Sequence, residues 1–223
     1  MPILAYILTA LAAYLLGSIP TGYLVARAKG VDIRTVGSGN IGATNVFRFL
    51  GKPAGIFVLL VDALKGLAAV AMVLNFYPEL HDLAPDVFGR DGQPDASRRE
   101  WLGIVAGIAA ILGHNYTCWL KFKGGKGIAT SAGVYFGLAP VAVCVALALW
   151  VVLFVTTRFV SVASIAAAIA LPTAVWLTED SVVLGVVTTG LGVLAIYKHK
   201  SNIQRLLAGT ESRINFKKKD DSK

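Results

Sequence analysis

The chain has 223 residues, of which 56% are hydrophobic and 15% charged, with a formal net charge of +8. One soluble core of this size cannot hide so much apolar surface, so a water-soluble globular enzyme is excluded and lipid is the expected solvent. Nor does the charge indicate a nucleic-acid binder, because no soluble basic domain or aromatic-interleaved basic surface carries it.

Crossing a bilayer core takes roughly 20 apolar residues in a helix. The first apolar stretch, 3–25, is predicted to be a membrane helix. It is too long for a cleaved signal, no basic cluster precedes it, and Gly17, Ser18 and Pro20 lead into Gly22, Tyr23 and Leu24 with no cleavage signature.

A polar cluster follows at 37–48, containing Gly37, Ser38, Gly39, Asn40, Gly42, Thr44, Asn45 and Arg48. The three glycines permit a tight backbone whose N–H groups converge on an anion, and Ser38, Asn40, Thr44 and Asn45 add side-chain hydrogen bonds. Arg48 adds a planar, bidentate contact suited to phosphate. Composition alone would give a flexible connector; the position beside a basic membrane face favours the anion loop.

The second stretch, 54–76, carries Asp62 and Lys65 three residues apart. Such a pair neutralises two costly intramembrane charges and is read as structural, with a share in lining the site left open. Residues 79–100 are predicted to form a turn-rich external loop. His81 and Asp86 within it have the His-x4-Asp spacing of another class of glycerolipid acyltransferase, but no phosphate-binding neighbours, and are set aside.

The third stretch, 101–120, runs into a second polar cluster, 113–130, with His114, Asn115, Lys123, Gly124, Gly125, Lys126, Gly127 and Thr130. The fourth, 128–138, is too short to span. It is predicted to be a half-helix whose positive dipole end faces the site, with Lys126 as a point charge beside it. This is not a Walker A loop, since Leu120 stands in the place of its first glycine and Gly127 in that of its Ser/Thr. A lone histidine near a helix end is first read as structural, so His114 is placed there, with substrate contact as the alternative. Gly125, Lys126 and Thr130 are the candidate ligands of this cluster.

The remaining stretches are 140–155, 160–177 and 182–197, giving seven segments in a single domain. The third cluster, 198–211, follows the last of them. A basic stop-transfer flank accounts for Lys198 and Lys200 but not for His199, Asn202, Gly209 and Glu211. On a helix, His199, Asn202 and Arg205 share a face and can address one anion. Cys118 and Cys144 fit no metal or redox spacing and are read as packing residues.

The flanks of the spans hold 17 of the 21 basic residues on one side, whereas the opposite side carries Arg90, Arg98 and Arg99 beside eight acids. The amino terminus is therefore expected outside and the carboxyl terminus in the cytoplasm, with all three clusters on the cytoplasmic face.

In their order and between such spans, the three clusters resemble the motifs of the bacterial acyl-phosphate:glycerol-3-phosphate acyltransferase family, the PlsY family, over nearly the whole chain. Two departures stand out: Thr117 occupies a place where members often have proline, and the 79–100 loop is long for the family. The resemblance implies an all-α, seven-segment fold in the cell inner membrane, and acyl transfer from acyl phosphate to the 1-hydroxyl of sn-glycerol 3-phosphate, giving lysophosphatidic acid and phosphate in phospholipid synthesis. It further implies acyl phosphate and glycerol 3-phosphate as partners and an upstream enzyme that forms the acyl phosphate; no cofactor is expected, and no metal site, because the three histidines lie in separate regions and no carboxylate cluster accompanies the phosphate-binding residues.

Under that resemblance, Ser38, Asn40, Thr44 and Asn45 hold the acyl phosphate, and Arg48, Lys126, His199 and Asn202 position the glycerol phosphate. Either His199 or a donor phosphate oxygen takes the hydroxyl proton. Two rivals stand beside this reading: a carrier for a phosphorylated metabolite, against which the clusters' position at span ends argues, and a scaffold binding anionic lipid through Lys217, Lys218 and Lys219.

Overall fold

Long apolar runs form most of the helices of this chain, and glycine or proline follows the ends of some of them, as at Gly51 and Pro140. A computed structural model describes residues 2–83 and 96–214, with side chains for 3–77 and 96–214. Every regular element among them is helical: α1 (Pro2–Ser18), α2 (Thr21–Arg27), α3 (Ala43–Leu50), α4 (Lys52–Leu83), α5 (Ala96–Asn115), a 3-10 turn (Cys118–Leu120), α6 (Ile128–Leu138), α7 (Pro140–Thr157), α8 (Val160–Thr178), α9 (Val182–Lys198) and α10 (Lys200–Leu207).

Among the described residues, five helical segments are long and apolar enough to cross a membrane, six if α9 and α10, bent by 53°, count as one. At 11 residues α6 covers only about 16 Å of a roughly 30 Å hydrocarbon core. Phe57, Leu60 and Leu64 turn outward from α4, and Leu177 is 81% exposed. In water such faces would aggregate; in lipid they are ordinary. The chain is an all-α, multi-pass integral membrane protein.

Two differences from the sequence reading have simple causes. The first segment is broken, because Pro20 has no N–H to continue the helix. The expected external loop is helical at both ends, since α4 runs to Leu83 and α5 starts at Ala96; Ala, Arg and Glu are good helix formers whether or not they are apolar. Its middle, 84–95, and the side chains of His81 and Asp86 lie outside the described residues.

The chain divides into two compact units, Met1–Pro140 and Val141–Lys223. In the first, α1 packs on α5 and α4 on α6. Small residues allow the close approach: a Cβ on Gly133 would collide with the Ala63 carbonyl, and one on Gly66 with that of Thr130. The carbonyls at the α1–α2 break find side-chain partners, Ser18 O accepting from Thr117 Oγ1 (2.6 Å) and Ile19 O from Lys65 Nζ (2.9 Å). In the second unit α8 packs on α9, where the Trp176 indole covers Gly185.

Candidate active site

The first cluster is built around Asn45, which is 2% exposed. Its amide nitrogen faces the carbonyls of Ile33, Val36 and Asn40 at 3.1, 3.1 and 3.0 Å, and its Oδ1 accepts the Ser38 N–H at 3.2 Å. Asn40 Oδ1 accepts the Gly42 N–H at 2.8 Å, and the Gly39 N–H goes to the Val36 carbonyl. This corrects two expectations. Asn45 shapes the loop rather than holding ligand, because its polar atoms are already used, and the amides of Ser38, Gly39 and Gly42 are committed within the loop. Gly37 and Gly39 have φ of 57° and 67°, a conformation that favours glycine. What remains at the surface is exposed Gly37, Ser38 and Gly39, with half-buried Asn40, Thr44 and, in the last turn of α3, Arg48.

Upstream, Arg34 forks onto Asp32 at 2.9 and 2.7 Å and stacks on the Tyr23 ring. The hydrogen bonds from Arg34 hold the Asp32 carboxyl at about 2. For Asn45→Asp, which turns a donor towards three carbonyls into an acceptor, we expect a loss of about 2 to 4 kcal/mol of stability and most of the activity. Thermal unfolding in detergent alongside turnover checks this.

The second cluster folds back onto the end of α5. Lys121 and Phe122 are left-handed, with φ of 54° and 59°, and the turn returns so that Gly124 N–H donates to the Asn115 carbonyl (3.2 Å) and Gly125 N–H to that of His114 (3.0 Å). Gly127, at φ 85°, starts α6 at Ile128, as expected from the sequence. Lys126 sits half-buried between these glycines. Thr117, at φ −64°, has the backbone proline would impose, so the departure from the family pattern keeps the local shape and gains the bond to Ser18.

Thr130 is fully buried, with its backbone against Gly66 and no hydrogen-bond partner for its Oγ1 within the protein. Buried Ile33, Ile41 and Val46 of the first loop share one apolar cluster with Val58 of α4 and Leu120 of the second, so the two loops rest on a common base.

Below the second loop lies a buried polar network. Lys65 Nζ is 2.8 Å from Asp62 Oδ1 and 3.0 Å from His114 Nδ1, besides its bond to Ile19 O. Asp62 Oδ1 also accepts from Thr21 Oγ1 at 3.1 Å. Asp62 and Lys65 thus neutralise one another, as expected, while joining α2, α4 and α5. Among the described residues no group of three His, Cys, Asp or Glu side chains is placed to hold a metal ion.

The third cluster lies in the second unit. His199 occupies the bend between α9 and α10, is buried, and has Nδ1 2.8 Å from the Ala195 carbonyl. A carbonyl only accepts, so in the neutral ring the proton is on Nδ1 and the lone pair on Nε2. Asn202 and Arg205 do converge on an anion, but it is Glu211: Asn202 Nδ2 and Arg205 Nε each approach it at 2.7 Å, and Ser161 Oγ at 2.9 Å. Asn202 Nδ2 and Arg205 Nε are thus engaged by a residue of the same chain, across the turn at Gly209. Glu211 stands in the third cluster yet was not among the candidates, and Ser161, 50 residues away, had no local signal pointing to it.

Burial pushes the Glu211 carboxyl up, but hydrogen bonds from Asn202, Arg205 and Ser161 outweigh it and hold the group below its ordinary value. A depressed folded value stabilises the protein above the unfolded value of 4.5, and that contribution disappears as pH falls through the folded value. The unfolding midpoint of the wild type should therefore exceed that of Glu211→Gln near neutral pH, and the gap should close as pH falls below 4.5 and through the folded value. A constant gap in thermal scans would contradict this.

The model of the family described as glycerol-3-phosphate acyltransferase matches residues 7–209, including both units and most of the three clusters. The chain belongs to the glycerol-3-phosphate acyltransferase family. Members similar to it include the glycerol-3-phosphate acyltransferases of Geobacter sulfurreducens, 48% identical over 208 residues (93% of this chain, 96% of the relative), and of Geotalea daltonii, 46% identical over 202 residues (91% and 94%). Among solved structures, the chain resembles PlsY, an integral membrane glycerol 3-phosphate acyltransferase, in its glycerol 3-phosphate form, with TM-score 0.79 and 38% identity over 94% of this chain and 96% of that one. The lysophosphatidic acid form matches with TM-score 0.76 at the same identity, over 94% and 95%.

Proposed function

We propose that this chain transfers a fatty acyl group from acyl phosphate to the 1-hydroxyl of sn-glycerol 3-phosphate. The observation that carries this reading is the likeness across 94% of the chain to a protein known in glycerol 3-phosphate and lysophosphatidic acid forms, two molecules that differ by one acyl ester. The hydroxyl oxygen attacks the acyl carbonyl carbon, an ester C–O bond forms, the bond from that carbon to the phosphate oxygen breaks, and phosphate leaves with the electron pair. The donor is already activated and its leaving group is stable, so a covalent acyl-enzyme is unnecessary.

Ser38, Asn40 and Thr44 hold the acyl phosphate on a loop shaped by Gly37, Gly39 and Gly42, and Arg48 and Lys126, the latter presented by the backbone at Gly125, hold the glycerol phosphate and the charge that grows on the leaving group. The lone pair on His199 Nε2 supports His199 as the acceptor of the hydroxyl proton, with a donor phosphate oxygen as the alternative. Asn202 and Arg205, through Glu211, fix the helix that follows His199, and Asn45 fixes the first loop.

The chain works as one catalytic domain of seven membrane segments, α6 being the short one, in the cell inner membrane. The distribution of basic residues supports an external amino terminus and a cytoplasmic site, where an acyl-phosphate-forming enzyme supplies the donor. The test is phosphate release by purified, lipid-reconstituted protein given palmitoyl phosphate, with and without glycerol 3-phosphate, and with palmitoyl-coenzyme A in its place. Phosphate and lysophosphatidic acid should form together, only with both substrates and not from the thioester. Uptake of glycerol 3-phosphate into vesicles with no product from either donor would make the chain a carrier instead.

A further inference from the structure

Lysine in a membrane segment is costly unless every N–H is matched. Lys65 matches all three: its ammonium donates to Ile19 O, to the Asp62 carboxylate and to His114 Nδ1. Because an ammonium only donates, His114 Nδ1 must accept, which places the imidazole proton on Nε2. Asp62 Oδ1 lies 3.6 Å from His114 Nδ1, beyond hydrogen-bond range, so the carboxylate serves Lys65 and Thr21. The opposite edge of that ring meets the second loop. A Cβ on Gly125 would fall on His114 Nε2, with Cε1 and Cδ2 next nearest at 2.8 and 2.9 Å, and the Gly125 N–H donates to the carbonyl of the same histidine. Residue 125 is glycine because the imidazole occupies the space a side chain would need, and the next residue is Lys126.

We infer that Asp62, Lys65 and His114 are positioning residues for the 124–127 loop, the ammonium fixing the tautomer and tilt of His114 and the ring edge setting the backbone that presents Lys126. This rests on the reading of Lys126 as a phosphate-binding cation. It differs from simple charge burial in requiring that the histidine act through Lys126.

Lys65→Ala would strand the Asp62 carboxylate in the interior and unfold the protein, so the contact is tested from its other two sides. His114→Asn can keep an acceptor near Nδ1 for Lys65 but removes the edge that meets Gly125; Gly125→Ala pushes against that edge. Each is measured for unfolding midpoint and for kcat and KM with glycerol 3-phosphate, alone and combined with Lys126→Ala. The expected result is a folded His114→Asn protein whose kcat/KM falls roughly 10- to 100-fold, whereas the same substitution causes no further fall in a protein that already carries Lys126→Ala. Wild-type kinetics in a folded His114→Asn protein, an additive fall in the double variant, or loss of the fold in both single variants would each overturn it. If Lys126→Ala alone leaves the kinetics unchanged, the failure belongs to the phosphate-binding role of Lys126, and the inference falls with it.

Discussion

Replacing His199 with alanine is expected to lower kcat by about 10²- to 10⁴-fold at saturating substrates, the range that a positioned general base contributes. The geometry gives the reason. The Ala195 carbonyl takes the Nδ1 proton of the neutral ring at 2.8 Å, so the lone pair on Nε2 is fixed in a buried residue at the one bend between α9 and α10. A side chain held by its own helix arrives at the reaction already oriented, which is where much of a base's contribution originates. Steady-state kinetics with palmitoyl phosphate and glycerol 3-phosphate check it. Near-normal turnover in His199→Ala would pass the role of base to the phosphate oxygen of the bound donor.

Lys126→Ala is expected to cost about 10²- to 10³-fold in kcat/KM, as loss of one preorganised group facing developing charge typically does. The ammonium stands in a loop of three glycines, two of them tied to the end of α5 by backbone bonds and the third starting α6 in a left-handed turn. Lys126→Arg should recover only part of the activity, because a planar fork does not replace a point charge in a fixed backbone. Unchanged kinetics in Lys126→Ala would remove Lys126 from the site. Arg48, in the last turn of the eight-residue α3, should respond in the same direction when changed to alanine, with the larger part of the effect on KM for glycerol 3-phosphate.

Much of this was legible before any coordinates, for physical reasons that are local. Apolar run lengths gave the membrane class, since crossing hydrocarbon demands them. The break before the half-helix was legible in the glycines at 124, 125 and 127, and its bounds match the structure residue for residue. Asp62 and Lys65 could be paired from their spacing alone, because residues three apart on a helix are neighbours. The type of Asn45 suits ligand binding as well as it suits tying a loop, and only the backbone packed around it shows its polar atoms engaged; the burial of Thr130 is likewise set by packing. That Arg205 and Asn202 share a face is legible from their spacing, but their contact with Glu211, across the turn at Gly209, is not.

By itself, then, the sequence determined that the chain lives in lipid, that its polar chemistry falls in three clusters at span ends, and which residue types are available there. Tertiary structure alone decided the partners: Thr117 with the Ser18 carbonyl, Lys65 with Ile19 and His114, Ser161 with Glu211. Those pairs are separated by 46 to 99 residues. A hydrogen bond acts over about 3 Å, so which distant groups come within that range is set by how the helices pack, and no local pattern encodes it.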